Sequence, residues 1–459
     1  MWNLKILNTD NTLYIAIADA LERDIRLGEL KAGDKMPTHR ELAKTIGVNV
    51  TTVTRAYKEA EKRGLITSTV GRGTYVTSDM GLNASLINTD TNRNSHIEMG
   101  LALPLTSMEP DISSIISKVL HKSHLNNYMA YTQPEGLMRH RQIGSEWVKR
   151  FGIQTDAERI IITAGAQHAL NCIFSSVFQQ GARIAVDNLT YPGVKTVAKR
   201  YGLHLEGLPM DNEGMLPQAL ESACTRNEIK GIYTVSSIQN PTNIIMSEER
   251  KISLAQIIKK YNLILVEDDP YHFLSTEKRN PLTKLVPEFG IYIAGLSKAF
   301  YAGLRICFTI VPKRLYNRIS QAVVDTMWMA PSFNAEIVCE CITSKIADQI
   351  IEKKREEIRH RARFMTENLA SYELSYTPDS MFTWLKLPND WSSLEFEKAA
   401  SENGVNVISS DKFTVGSVVP PNYVRLSLTG TDNRNDFEKG IYIILKLLNG
   451  EIGIAKGIL

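Results

Sequence analysis

The sequence predicts an α/β main domain on a mostly parallel sheet, with a winged helix-turn-helix in front of it. Three observations carry this. Residues 97–459 alternate strand-like apolar runs with helical patterns, as a parallel sheet with covering helices requires. Residues 1–77 hold short helical patterns followed by a Gly-rich hairpin signal. Residues 78–96, SDMGLNASLINTDTNRNSH, have the polar composition of a flexible linker. The length of 459 residues allows two or three domains, and 43% hydrophobic with 22% charged residues excludes a disordered or collagen-like chain. No apolar run has the roughly 18 residues of a membrane span, and Met1-Trp2-Asn3-Leu4-Lys5 lacks a signal-peptide pattern. No membrane partner and a cytoplasmic location are therefore expected. The five cysteines are scattered without a C-x-x-C pair, so neither a zinc site nor a disulfide framework is expected.

In the first domain, Leu13, Ile17, Leu21 and Ile25 at spacing four predict an amphipathic helix over 12–26. Residues 39–46 form a short second helix, broken by Gly47-Val48-Asn49, and residues 50–63 form a third that ends at Gly64. Leu65-Ile66-Thr67 and Thr74-Tyr75-Val76 flank Gly71-Arg72-Gly73 as a hairpin. The second helix of such a tight pair enters the major groove with its first residues at the base edges. Those residues are Thr51, Thr52, Thr54 and Arg55, with Arg40 placed to reach phosphate and Arg72 and Gly73 at the hairpin tip. Charge agrees: the net charge is +3, and residues 1–77 alone carry 12 Lys+Arg against 9 Asp+Glu. A basic small domain on a neutral body suits double-stranded DNA, the alternative being a solvated basic face.

The string Met36-Pro37-Thr38-His39-Arg40-Glu41-Leu42-Ala43, then Gly47-Val48, Thr52-Val53, Arg55-Ala56-Tyr57 and Gly71-Arg72-Gly73-Thr74, resembles the GntR-type bacterial repressors. The resemblance covers most of residues 11–77. Many members carry Arg or Ser where this chain has Val50, which removes one possible DNA contact.

In the second domain, five strand-like runs each deliver polar residues at their carboxyl ends, where open parallel sheets bind ligands. Ile160-Ile161-Ile162-Thr163 leads through Ala164 to Gly165-Ala166-Gln167 and a helix, an N-terminus suited to phosphate or simply a tight turn. Arg183-Ile184-Ala185-Val186 leads to Tyr191, and Gly231-Ile232-Tyr233-Thr234-Val235 leads to Asn240-Pro241. Leu263-Ile264-Leu265-Val266 ends in Glu267-Asp268-Asp269-Pro270-Tyr271, whose acidic residues could also hold a metal. Ile291-Tyr292-Ile293-Ala294 ends in Gly295-Leu296-Ser297-Lys298, followed by Arg305. An amine beside a hydroxyl, with an arginine nearby, suits a phosphorylated aldehyde.

Together these ends resemble fold-type I, aspartate-aminotransferase-like enzymes over about residues 97–440. The resemblance implies a mostly parallel sheet with a small α+β subdomain and pyridoxal 5'-phosphate as cofactor, with no metal. It implies that Lys298 holds the cofactor as a Schiff base and that Asp268 keeps the pyridine nitrogen protonated. Tyr271 and Asn240 would bond the ring hydroxyl and Tyr191 would stack on the ring. Gly165, Ala166, Gln167, Ser297 and Arg305 would hold the phosphate, Tyr131 would reach the partner subunit's phosphate, and Arg425 would clamp an effector carboxylate. Many relatives have Ser or Thr where this chain has Gly295, so the phosphate cup loses one hydroxyl.

The two halves joined resemble the MocR/GabR subfamily of GntR regulators. The resemblance implies a DNA-binding transcriptional regulator that senses an amino compound, or pyridoxal phosphate itself, as a head-to-tail homodimer. If flexible, the linker has an r.m.s. span of about 23 Å and an extended limit of about 60 Å, enough for such a crossing. The alternative is an active aminotransferase with an accessory DNA-binding domain.

Overall fold

The computed structural model describes residues 12–452 apart from 27–28, 31–33, 64, 70–72, 77–95, 278 and 417. Helix α1 (Leu13–Arg26) buries Ile17, Leu21 and Ile25 as their spacing predicts, whereas Leu13, at the first position of the helix, is exposed. Helix α2 (His39–Ile46) starts at a capping box, in which Glu41 N donates to Thr38 Oγ1 at 3.3 Å and Thr38 N to Glu41 Oε2 at 2.8 Å. Helix α3 (Val50–Lys62) is capped by Asn49, whose Oδ1 accepts from Thr51 N at 3.0 Å. Strands β1 (Ile66–Thr69) and β2 (Gly73–Val76) pair antiparallel, Ile66 opposite Val76 and Thr69 opposite Gly73. At the turn end the first strand runs two residues further, and the second starts one residue earlier, than the sequence suggests. Leu21, Leu42, Val53, Tyr57, Ile66 and Val76 form one core, and Arg63 ties α3 to Asp19 and Glu22 of α1. The first domain is thus a winged helix-turn-helix.

The main sheet has seven strands: β3 (Ile160–Thr163), β4 (Arg183–Asp187), β5 (His204–Leu208), β6 (Ile229–Thr234), β7 (Ile264–Asp268), β8 (Gly290–Gly295) and β9 (Cys307–Ile310). Their order is β3-β9-β8-β7-β6-β4-β5, parallel except that β9 runs antiparallel to β8 and β3. Five of the seven are the runs read from sequence. The two additions have weak patterns: β5 (HLEGL) lies at the sheet edge, half-buried, and β9 is only four residues long, all buried. Helices cover both faces over large apolar clusters.

A smaller α+β unit follows, a four-stranded antiparallel sheet of Leu374–Ser375, Phe382–Lys386, Tyr423–Ser427 and Ile408–Ser409 backed by helices Ser393–Glu402 and Arg434–Leu448. Ile97–Glu98 pairs parallel with Val405–Asn406, and His96 already contacts this unit through Ser401 O at 2.9 Å. Among the described residues, no helix is long and apolar enough to cross a membrane.

Candidate functional site

The carboxyl ends of β3, β4, β6, β7 and β8 converge on one cavity of about 480 Å³ beneath the smaller unit. Ala166, Gln167, Tyr191, Asn240, Asp268, Tyr271, Ser297, Lys298, Arg305 and Arg425 all line it. Parallel strand direction explains the convergence, because every β-to-helix turn leaves the sheet on the same edge.

The phosphate end is built at the start of helix Ala166–Val177. Gly165 has φ +85°, and a Cβ there would stand 2.3 Å from Arg305 Nη2, so only glycine lets the guanidinium lie against the turn. The first amides of a helix lack partners of their own, so Ala166 and Gln167 present N–H groups to an anion. Arg305 Nη1 donates to Ser297 Oγ at 2.6 Å, which holds arginine and hydroxyl together. Gly295 also lines the cavity, and a Cβ there would meet Ala166 Cβ at an ordinary 3.4 Å. The missing hydroxyl is therefore not a matter of space.

At the far end of β7, three consecutive carboxylates take three separate paths. Glu267 accepts from Ser236 Oγ and from the Leu282 and Thr283 amides at 2.9 and 2.7 Å. Asp269 accepts from Ser237 Oγ, from Tyr292 Oη at 2.7 Å and from His272 Nδ1 at 3.0 Å. Burial raises the Asp269 carboxyl, but His272 and the hydrogen bonds outweigh it and hold it below the usual range. Asp268 instead faces the cavity, where Tyr233 Oη donates to its Oδ2 at 3.0 Å while Oδ1 has no partner. Burial, with the adjacent Asp269, pushes the Asp268 carboxyl up to about 7 against the opposing Tyr233 bond. A cationic ring nitrogen would satisfy that orphan oxygen. The metal alternative loses its ligand set, since the three side chains do not share a centre.

Lys298 donates from Nζ to Ala102 O. Burial, then the charges of Arg425, Arg305 and Lys354, lower its amine to about 8. Arg425 is buried between the rings of Phe413 and Phe382, 4.9 and 5.2 Å from their centroids. Its Nη1 donates to Asn240 Oδ1 and its Nη2 to Gly100 O, both at 2.7 Å, while Nε has no partner. Tyr271 packs edge-on against Phe382, and burial raises its hydroxyl to about 12. Tyr191 Oη reaches Gln167 Oε1 at 3.4 Å. An amine, a carboxylate with one unpaired oxygen, a phosphate cradle and an arginine in one cavity fit pyridoxal phosphate with an amino acid beside it.

Tyr131 is not in the cavity of its own chain. It is 81% exposed and packs on Trp328, ring centroids 5.5 Å apart. Sequence reasoning missed Tyr233, Lys354 and residues 101–103. Tyr233 is one more aromatic within an apolar strand, and Lys354 reaches Lys298 O and Glu109 from a helix far along the chain, so neither carries a local signal.

In the winged helix-turn-helix, Arg40, Thr51 and Arg55 are exposed and Thr52 is half-buried. The Thr51 hydroxyl donates to Asn49 Oδ1 at 2.6 Å, and the Thr54 hydroxyl donates to Val50 O at 2.9 Å and lies 3.2 Å from His39 Nδ1. Thr52 and Arg55 have no such bond among the described residues. Gly73 opens β2, and Arg72 lies outside the described residues.

The comparisons with known proteins agree with this geometry. Residues 13–76 match the family model for bacterial regulatory proteins of the gntR family, and residues 106–437 match that for aminotransferase class I and II. A Bacillus subtilis (strain 168) relative, the uncharacterized HTH-type transcriptional regulator YdeF, is 33% identical over 98% of this chain and 97% of its own. Among solved structures, an archaeal alanine:glyoxylate aminotransferase superposes with a TM-score of 0.73 at 22% identity, over 81% of this chain and 96% of that one. The α-aminoadipate aminotransferase LysN from Thermus thermophilus, complexed with N-(5'-phosphopyridoxyl)-L-leucine, gives 0.70 at 23%, over 80% and 96%. Pyridoxal 5'-phosphate is the cofactor this body takes. The chain belongs to the GntR-family transcriptional regulators of MocR-like architecture, in which a helix-turn-helix domain is fused to an aminotransferase class I and II domain.

Proposed function

We propose that this regulator senses an amino compound in the cavity around Lys298 and answers by changing its hold on an operator. The observation that carries this reading is the meeting of Lys298, the unpaired Asp268 Oδ1 and Arg425 in one cavity. When bound, pyridoxal phosphate supplies an aldehyde that captures amines and an electron-poor ring. The chain's own groups do the rest. Lys298, with its amine lowered to about 8, has a neutral nucleophilic fraction near pH 7–8 that an ordinary lysine lacks. Asp268 offers an anionic oxygen to the ring nitrogen, and Ser297, Arg305 and the amides of Ala166 and Gln167 anchor the phosphate. Arg425 remains charged and presents a bidentate fork to a carboxylate between two aromatic walls.

In this reading residues 1–77 bind DNA, residues 78–96 link, and residues 97–459 hold cofactor and effector. The protein acts as a cytoplasmic head-to-tail homodimer in which Tyr131 serves the partner subunit. Catalytic turnover is the second reading, favoured by Lys298 itself, an amine able to carry a proton once displaced. The two separate in one assay. Wild-type protein and Lys298→Ala are titrated with pyridoxal phosphate; one portion of each is reduced with borohydride, and a second, unreduced portion is challenged with a panel of amino acids. The expected result is labelling at Lys298, loss of visible absorbance in the variant, and a spectral change with an altered operator affinity but no accumulating keto acid. Labelling elsewhere would sink the assignment, and sustained keto-acid formation would establish the enzyme reading.

A further inference from the structure

Residues 97–103 follow directly on the segment that leads from the DNA-binding domain, and their main chain is bonded to Lys298 and Arg425 of the cavity. The segment starts as a strand. Ile97 N donates to Gly404 O at 2.7 Å, Met99 N to Asn406 O at 2.9 Å, and Ser427 N to Met99 O at 2.6 Å. Beyond Met99 it leaves the strand and crosses the cavity, whose wall includes Leu101, Ala102 and Leu103. Here Glu98 takes over as support, its Oε1 accepting from the Gly100 and Leu101 amides, both at 2.8 Å. With those amides held, the carbonyls point the other way: Gly100 O accepts from Arg425 Nη2 at 2.7 Å, and Ala102 O accepts from Lys298 Nζ. The crossing is close, since a Cβ on Gly100 would stand 2.8 Å from Ile408 Cγ1.

We propose that residues 97–103 form a strap that reports occupancy of the cavity to the DNA-binding domain, with Glu98 as its positioning residue. The proposal rests on the reading of the cavity as an effector site. A carboxylate that reaches Arg425 competes with Gly100 O for the guanidinium, and a ligand that engages the Lys298 amine takes that donor from Ala102 O. The strap then loses the two bonds that hold its crest down. Glu98 keeps the segment together, so the displacement passes along the chain towards His96 and the residues before it. The device has differential contacts in the two states, as coupling between two sites requires.

The test uses the full-length protein, N-(5'-phosphopyridoxyl)-L-leucine as probe, and a duplex selected from a random pool by the full-length protein. The probe brings a phosphate, a pyridine ring and a carboxylate in one molecule. On probe binding, hydrogen exchange in the Gly100–Leu103 stretch is expected to quicken, and operator affinity to change within the roughly 5- to 150-fold range usual for coupled sites. Glu98→Ala is expected to bring that change to within about twofold of none, whereas Glu98→Gln, which keeps the Oε1 acceptor, retains it. Both variants should bind probe and, without probe, operator as the wild type does. If operator affinity responds to probe while exchange in the strap is unmoved, or if Glu98→Ala responds as strongly as wild type, the strap is not the transmitter and the effector-site reading stands. If wild-type protein does not bind the probe, the effector-site reading fails and takes the proposal with it. The exchange measurement is made on the wild-type chain, so it decides even where Glu98→Ala does not fold.

Discussion

Lys298 and Asp268 are shifted in opposite directions by the same burial, and each shift has its own measurable sign. The amine of Lys298 is lowered to about 8, by burial first and then by Arg425, Arg305 and Lys354. Between about pH 8 and the ordinary lysine value near 10.4, the unfolded chain binds a proton there that the folded chain does not. The stability of the cofactor-free protein should therefore gain from this group as pH rises through that window and lose that gain below it. Capture of pyridoxal phosphate should speed up with pH and level off above about 8; stopped-flow absorbance would check this, and a plateau only near 10 would contradict it. The neighbouring aspartates separate by role. Asp269→Ala leaves His272, Tyr292 and Ser237 without their buried acceptor and should cost about 3–5 kcal/mol of stability, read from denaturant melts. Asp268→Ala should leave stability far less changed and weaken cofactor binding more than Asp269→Ala does. The distinction was half legible in the sequence: the Asp268-x-x-Tyr271 spacing singled out the carboxylate that lines the cavity, but the role of Asp269 depends on partners from other elements.

Helix α3 carries the residues proposed to read sequence on a scaffold fixed by caps. Thr38 and Asn49 set where α2 and α3 begin, and so set which side chains stand in the first turn. Thr51 and Thr54 spend their hydroxyls on the helix start, which leaves Thr52 and Arg55 the freer groups for base edges. Arg55→Ala should change sequence preference, whereas Arg40→Ala should weaken binding to every duplex and reduce the salt slope by about one. Titrations across salt, on selected and random duplexes, distinguish the two outcomes. All three helices of this domain were legible because their caps and breakers are local in the chain. The parallel strands were legible for a similar reason, as buried apolar runs ending in polar residues. Strands β5 and β9 were not, because an edge strand with a glycine and a four-residue buried strand owe their state to the neighbours they pair with. The strap of residues 97–103 was illegible for a stronger reason: it acts through main-chain atoms, which the sequence does not vary.

At the scale of the whole molecule, the exposed pair Tyr131 and Trp328 is a feature of the described residues that a single chain does not use. A tyrosine 81% exposed against a tryptophan 59% exposed is unusual for a monomer surface and suits a second copy. Sedimentation should find a dimer at micromolar concentration. If the Tyr131 hydroxyl serves the partner's phosphate, Tyr131→Phe should weaken cofactor binding about fivefold, the worth of roughly one hydrogen bond, with no loss of dimer. A monomer in sedimentation, or unchanged cofactor affinity, would remove that role.

The acceptors that residues 97–103 offer to Arg425 and Lys298 are the carbonyl oxygens of Gly100 and Ala102, and every amino acid has such an oxygen. Genetic drift can therefore rewrite position 102 without deleting an acceptor, and it meets resistance at position 100 only because a side chain there would strike Ile408. Substitutions in the side chains of residues 101–103 would therefore reshape the wall of the cavity and leave these acceptors in place.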